Sequence, residues 1–188
     1  NPGVINITLE DGATSQATGT FPADTWFEMS HTIDLDNQIM TVAIDGVDIT
    51  TDFVYNETLG GVNFYANGAT NSYYLDDVVF DGMASPQPCD FGSDIDYINM
   101  ALICDDIESY PVGGLTGLAE HWSSWGGGAA DEMLVTTDYA ASGSNSVQVI
   151  GGVGMDGVLR LGDQSSGVFA TIWKMYVPAG KSAYFNIQ

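Results

Sequence analysis

Apolar side chains recur at every second position through most of this chain. That period is the strongest constraint on its fold, because a half-buried strand sends alternate residues to opposite faces. Ile5, Ile7 and Leu9 alternate with Asn6 and Thr8, and Glu10-Asp11-Gly12 supplies a turn. Phe27, Met29, His31 and Ile33 line one face of a second strand, opposite Glu28, Ser30 and Thr32. Met40, Val42 and Ile44 form a third, and the following Asp45-Gly46 predicts a tight hairpin whose turn matches strand twist. Further strands are read over 62–65, 73–80, 146–150, 157–161, 168–177 and 182–188, with Pro178-Ala179-Gly180-Lys181 turning between the last two. Helical signal is confined to Ile98–Ile103, read as about one turn. Many short strands with 23 glycines among them predict an all-β antiparallel sandwich or barrel. The two halves of the chain show no internal repeat.

Charge narrows the range of partners. Against 25 Asp and Glu stand three basic residues, Arg160, Lys174 and Lys181, giving a formal charge of −22 over 188 residues. Nucleic acid is excluded as a partner, since a phosphate backbone needs cations to displace its counterions. Anionic membrane surfaces are disfavoured for the same reason, and no apolar run approaches the length of a membrane span. Disorder is excluded by 45% apolar and 11% aromatic content. So acidic a surface collects counterions, and its hard oxygen ligands suit calcium. Cys89 and Cys104 are the only cysteines. They are either two buried thiols or, in an extracellular protein, a disulfide contributing about 3 kcal/mol. Their spacing fits no zinc pattern. The chain opens on Asn1, which reads as a processed product or an excerpt.

The stretch from Phe21 to Ile49, with its Trp26 strand and Asp45-Gly46 hairpin, is followed by 60–82 with Leu75-Asp76-Asp77-Val78. Together they resemble the C-terminal half of a concanavalin A-like (laminin-G-like) jelly-roll module. The stretches 103–149 and 159–188 resemble the N-terminal half of the same module. Such modules resemble those of secreted or surface proteins of Bacteroidota. The resemblance therefore divides the chain into a C-terminal half over 1–82, a connector over 83–103 flanked by Cys104 and containing Cys89, and an N-terminal half over 104–188. The halves stand in inverted order. Either the chain closes on itself as a permutant, or it is a window on a tandem array, or a neighbouring copy completes it. A free half-sandwich would bare apolar faces and strand edges to water, whereas closure within one chain has effective concentration in its favour.

The resemblance also implies sites. Asp76 and Asp77 on one strand, with Asp105, Asp106 and Glu108 on its neighbour, fall where a structural calcium sits in the resembling fold; Asp77 and Glu108 match best. Converging carboxylates repel unless a cation or protons intervene, although alternate Asp residues on a strand also simply face solvent. Trp122 and Trp125, with Tyr184, Asn186 and Gln188, are the candidate sugar ligands, aromatic faces stacking on pyranose rings while amides reach hydroxyls. The alternative for both tryptophans is burial. Trp26 and Trp173 read as packing, and His31 as a core or interface histidine. His121 lacks a second imidazole or a cysteine nearby, and no Gly-x-Ser-x-Gly elbow or Glu-x-Asp-x-x-Glu strand occurs. The glycines at 126–128 and 151–154 open no helix, which argues against a phosphate cradle. The expected function is a non-catalytic extracellular or cell-surface repeat of a filament, stalk or adhesin, joined to copies of itself or to adjacent repeats. The alternative is a carbohydrate-binding module for polysaccharide.

Overall fold

A computed structural model describes residues 2–8, 15–82 and 101–188. Leu9, the expected turn at 10–12, Cys89, nearly all of the connector and residues 98–100 lie outside them. The described residues form β1 (Gly3–Thr8), β2 (Ser15–Phe21), β3 (Trp26–Asp34), β4 (Ile39–Ile44), β5 (Val47–Val54), β6 (Leu59–Tyr65) and β7 (Ser72–Asp81). They continue with β8 (Ala101–Asp105), β9 (Gly113–Gly114), β10 (Trp122–Ser124), β11 (Leu134–Thr136), β12 (Ser146–Ile150), β13 (Asp156–Gln164), β14 (Val168–Tyr176) and β15 (Phe185–Ile187). Among the described residues there is no helix. The helical turn read at Ile98–Ile103 is corrected for its described part: Ala101 to Ile103 lie in β8, held by pairing with β7. Short-range propensity loses there to a non-local strand partner.

Two antiparallel sheets face each other. The larger runs β5-β4-β3-β14-β7-β12-β11-β9, with β8 also paired to β7; the smaller runs β10-β13-β6-β15. β1 and β2 form a separate hairpin, whose Ile5, Ile7 and Phe21 pack against the core. Strands from both ends of the sequence interleave. β14 pairs with β3 on one side and β7 on the other, while β13 and β15 flank β6. Strands from the first and last parts of the sequence thus pair with one another within this one chain.

The alternation seen in the sequence sets the layers. Phe27, Met29 and Ile33 of β3 point inward, as do Trp173 of β14, Val62 and Phe64 of β6 and Leu159 of β13. Trp173 lies against Phe64 at 5.3 Å and Phe185 at 5.1 Å, both edge to face, a preferred aromatic geometry. His31 stacks on Trp173 at 4.9 Å, and burial drives its pKa down to about 3, so the ring is a neutral core group. Between β4 and β5, Asp45 and Gly46 take φ values of 48° and 72°, the two left-handed residues that a tight hairpin turn requires.

The alternation breaks in the middle of β7. A bulge lies where Asp77 takes φ 49° and the register to β14 shifts between Ile172 and Lys174. The extra residue lets both Leu75 and Val78 face the core. The same point splits the opposite edge of β7: β12 pairs with Ser72–Leu75, and β8 with the stretch from Val78 to Asp81.

Candidate functional site

The outer face of the smaller sheet gathers most of the candidate sugar ligands. Because Val62 and Phe64 are core residues, Asn63 and Tyr65 between and beyond them face outward. Their partners on β13, Val158 and Asp156, follow by register. Phe185 packs inward on Trp173, so Tyr184, Asn186 and Gln188 share the outer side of β15. Tyr184 and Tyr65 meet edge to face at 6.2 Å and remain 41% and 37% exposed. Trp125, just past β10, is 63% exposed, and its backbone N–H donates to the Asp156 carbonyl at 2.8 Å. At the far side of the sheet the exposed Arg160 donates to Ser123 Oγ at 3.0 Å.

Two buried acceptors in the middle of this face lack a hydrogen bond among the described residues. Asn63 is only 9% exposed, and its Oδ1 and Asp156 Oδ1 are buried without a hydrogen-bond partner. Burial raises the Asp156 pKa, a push that the Asn63 side-chain hydrogen bond opposes and the Asp131 charge reinforces. Asn186 Nδ2 reaches Gln188 Oε1 at 3.4 Å. Buried acceptors left unpaired are costly and usually find water or a ligand group. A rigid strand scaffold with exposed aromatic edges and side-chain amides can hold a polyhydroxylated molecule in a defined orientation.

Trp122 stands apart from this group. It lies on the inward side of β10 at 2% exposure, where its indole N–H donates to Asp105 Oδ2 at 2.7 Å. Packing and a buried hydrogen bond account for it. Tyr110 OH and His121 Nε2 reach the same oxygen at 2.6 and 2.7 Å, and Ile107 N–H donates to Asp105 Oδ1 at 2.9 Å. Burial pushes the Asp105 pKa up, but these hydrogen bonds outweigh it and hold the carboxyl below its ordinary value. With β8 belonging to the larger sheet and β10 to the smaller, Asp105 clasps the two layers together.

The five acidic candidates divide among separate tasks. Asp76 is fully buried at the split in the edge of β7, and its Oδ2 accepts N–H from Ala141 at 2.7 Å and Ser142 at 3.3 Å. Its Oδ1 accepts from Asp77 N–H at 2.8 Å. Burial raises the Asp76 pKa to about 7 against those donors. Asp77 Oδ1 accepts from Ser142 Oγ at 2.7 Å, and Asp106 Oδ1 from Glu108 N–H at 3.1 Å. Glu108 Oε1 accepts from Ser144 and Asn145 N–H at 2.8 and 2.6 Å. Gly143, at φ 54°, has no room for a Cβ beside that carboxyl. Among the described residues no group of three or more His, Cys, Asp or Glu has the geometry to hold a metal ion. Asp76 directs both of its oxygens, and Glu108 its Oε1, toward N–H donors.

The loop over 137–145 that these carboxylates hold was not singled out by sequence reasoning, nor was the aromatic group beneath it. Tyr139 stacks on Tyr176 at 4.4 Å and meets Tyr74 at 4.8 Å, while Trp26 leans on Tyr176 at 5.6 Å. Gln148 Nε2 donates to Tyr74 OH at 2.6 Å. The Leu75–Val78 spacing of three, off the period of two, was the available signal for the bulge that places Asp76 there. Cys104 is disulfide-bonded; Cys89 lies outside the described residues. Among the described residues no helix is long and apolar enough to cross a membrane.

No family model, curated protein or solved structure matches the chain. Its fold is an antiparallel, all-β sandwich.

Proposed function

We propose that this chain is a non-catalytic carbohydrate-binding module of a secreted or cell-surface protein, a concanavalin A-like jelly roll with its halves in inverted order. It engages polysaccharide across the outer face of the smaller sheet. The observation that carries this reading is the shared outward placement of Tyr65, Tyr184, Asn186 and Gln188, with Trp125 exposed at the margin. Aromatic rings offer flat apolar area at low entropic cost, and the amides supply orientation. The disulfide at Cys104 supports an oxidising compartment. Affinity electrophoresis through polysaccharide gels tests the reading: the protein is retarded, and Tyr184→Ala removes the retardation without changing the melting temperature. Normal mobility in every gel, with a blank glycan array, overturns it.

A structural role as a repeat in a filament, stalk or adhesin is the second reading, favoured by open strand edges. β5 and β15 each have one hydrogen-bonded neighbour strand among the described residues, and Val47 and Val54 at the ends of β5 are 67% and 61% exposed. Strand edges of this kind recruit further strands. Concentration-dependent assembly in sedimentation, abolished by Val54→Lys, supports it; a monomer at all concentrations removes it.

A further inference from the structure

We infer that the ligand of the smaller sheet's outer face is an uncharged polysaccharide, and that polyuronates and sulfated glycans are rejected. The inference rests on the binding reading above and adds the chemical class. Three observations converge on it. First, the groups that the face exposes are neutral: Tyr65, Tyr184 and Trp125 are open to solvent, with the Asn186 and Gln188 amides beside them. Such groups exchange hydrogen bonds with sugar hydroxyls, whereas a carboxylate or sulfate finds no cation among them to offset its desolvation.

Second, cations are scarce on the face. Of the three basic residues in the chain, Arg160 alone is on a strand of this sheet. Lys174 belongs to the larger sheet and pairs with Glu28 at 3.0 Å, and Lys181 lies in the turn before Ser182, closed by its N–H to Pro178 O at 3.0 Å. Arg160 is engaged with Ser123 on the β10 side, across β13 and β6 from Tyr184. Asp156, with Asp131 near enough to raise its pKa, puts negative charge close to the aromatic pair. Third, the whole chain carries −22, a field that repels a polyanion before contact and lowers its encounter rate.

Affinity electrophoresis under EDTA, in gels containing a neutral β-glucan or galactomannan and in gels containing alginate or polygalacturonate, tests the inference. Retardation is expected in at least one neutral gel and in neither polyanion gel. It stays constant between about 20 and 300 mM salt, since no ionic contact is being screened. Trp125→Ala weakens retention by neutral glycan about tenfold from an exposed position; should that variant unfold, Tyr65→Ala gives the same readout. Stronger retardation in alginate or polygalacturonate, fading with salt, overturns the neutral class while leaving glycan binding intact. No retardation in any gel overturns both.

Discussion

The outer faces of the two sheets are built from the same residue types and put them to opposite uses. On the larger sheet Tyr74, Tyr176 and Asp76 lie beneath the loop over 137–145, whose Tyr139 ring and Ala141 and Ser142 N–H groups cover them. On the smaller sheet no loop among the described residues covers Tyr65 and Tyr184 in this way, and their rings stay open to solvent. Tyrosine, amide and carboxylate stabilise a fold where the chain itself brings the complementary donors; where it does not, they are the groups to which we assign ligand binding. Residue identity alone does not separate these cases.

The largest effect should come from the clasp between the layers. Asp105→Ala strips the acceptor from Tyr110, His121 and Trp122 and should lower the unfolding free energy by about 3 kcal/mol or more in urea titration. A loss below about 1 kcal/mol would mean that the layers do not depend on it. The two faces are compared directly by a crossed pair of variants. Tyr139→Ala should cost about 1 kcal/mol of stability and leave glycan retention alone, whereas Tyr184→Ala should cut retention about tenfold with stability unchanged within about 0.5 kcal/mol. The reverse pattern would exchange the roles assigned to the faces.

A smaller effect concerns pH. Asp76 rises from 3.8 to about 7 on folding, so the native state keeps a proton the unfolded chain has lost, and this contribution to stability falls as pH climbs through that interval. His31 drops from 6.5 to about 3; there the unfolded chain takes the proton, and stability grows as pH rises from about 3 to 6.5. The two offset each other across the shared window. Melting curves of Asp76→Asn should therefore climb more steeply with pH up to about 6.5 than those of the wild type, and equal slopes would show that Asp76 does not titrate in this way. The smallest effect is that of calcium. With Asp76 and Glu108 occupied by N–H donors, about 2 mM calcium should move the melting temperature by less than about 1 °C, and a rise of several degrees would show that the loop rearranges around the ion.

How far the site could be read in advance depended on the range of the forces involved. Tyr184, Asn186 and Gln188 were legible as one group because a strand sends every second residue to the same side. Trp122 and Trp125, three positions apart, were not separable by that rule, since the end of β10 falls between them and leaves one indole inside and the other in water. Asp77 lies on β7, while Asp106 and Glu108, read on the neighbouring strand, fall just past the end of β8; the partners of Asp77 and Glu108 come from a loop that, for Asp77, lies 65 residues away in sequence. Nothing local to Asp-Asp announces such a donor.

From the sequence by itself followed the strand period, the hairpin at Asp45-Gly46 and the acidic net charge, because each depends on neighbours within a few residues or on a sum over the whole chain. Only the tertiary structure decided that β14 enters between β3 and β7, that Asp105 faces into the sandwich, and that, among the described residues, a loop covers Tyr74 and Tyr176 on one sheet and none covers Tyr65 and Tyr184 on the other. Those outcomes depend on which distant strands and loops supply hydrogen bonds to one another, a long-range pairing that alternation along a single strand leaves undetermined.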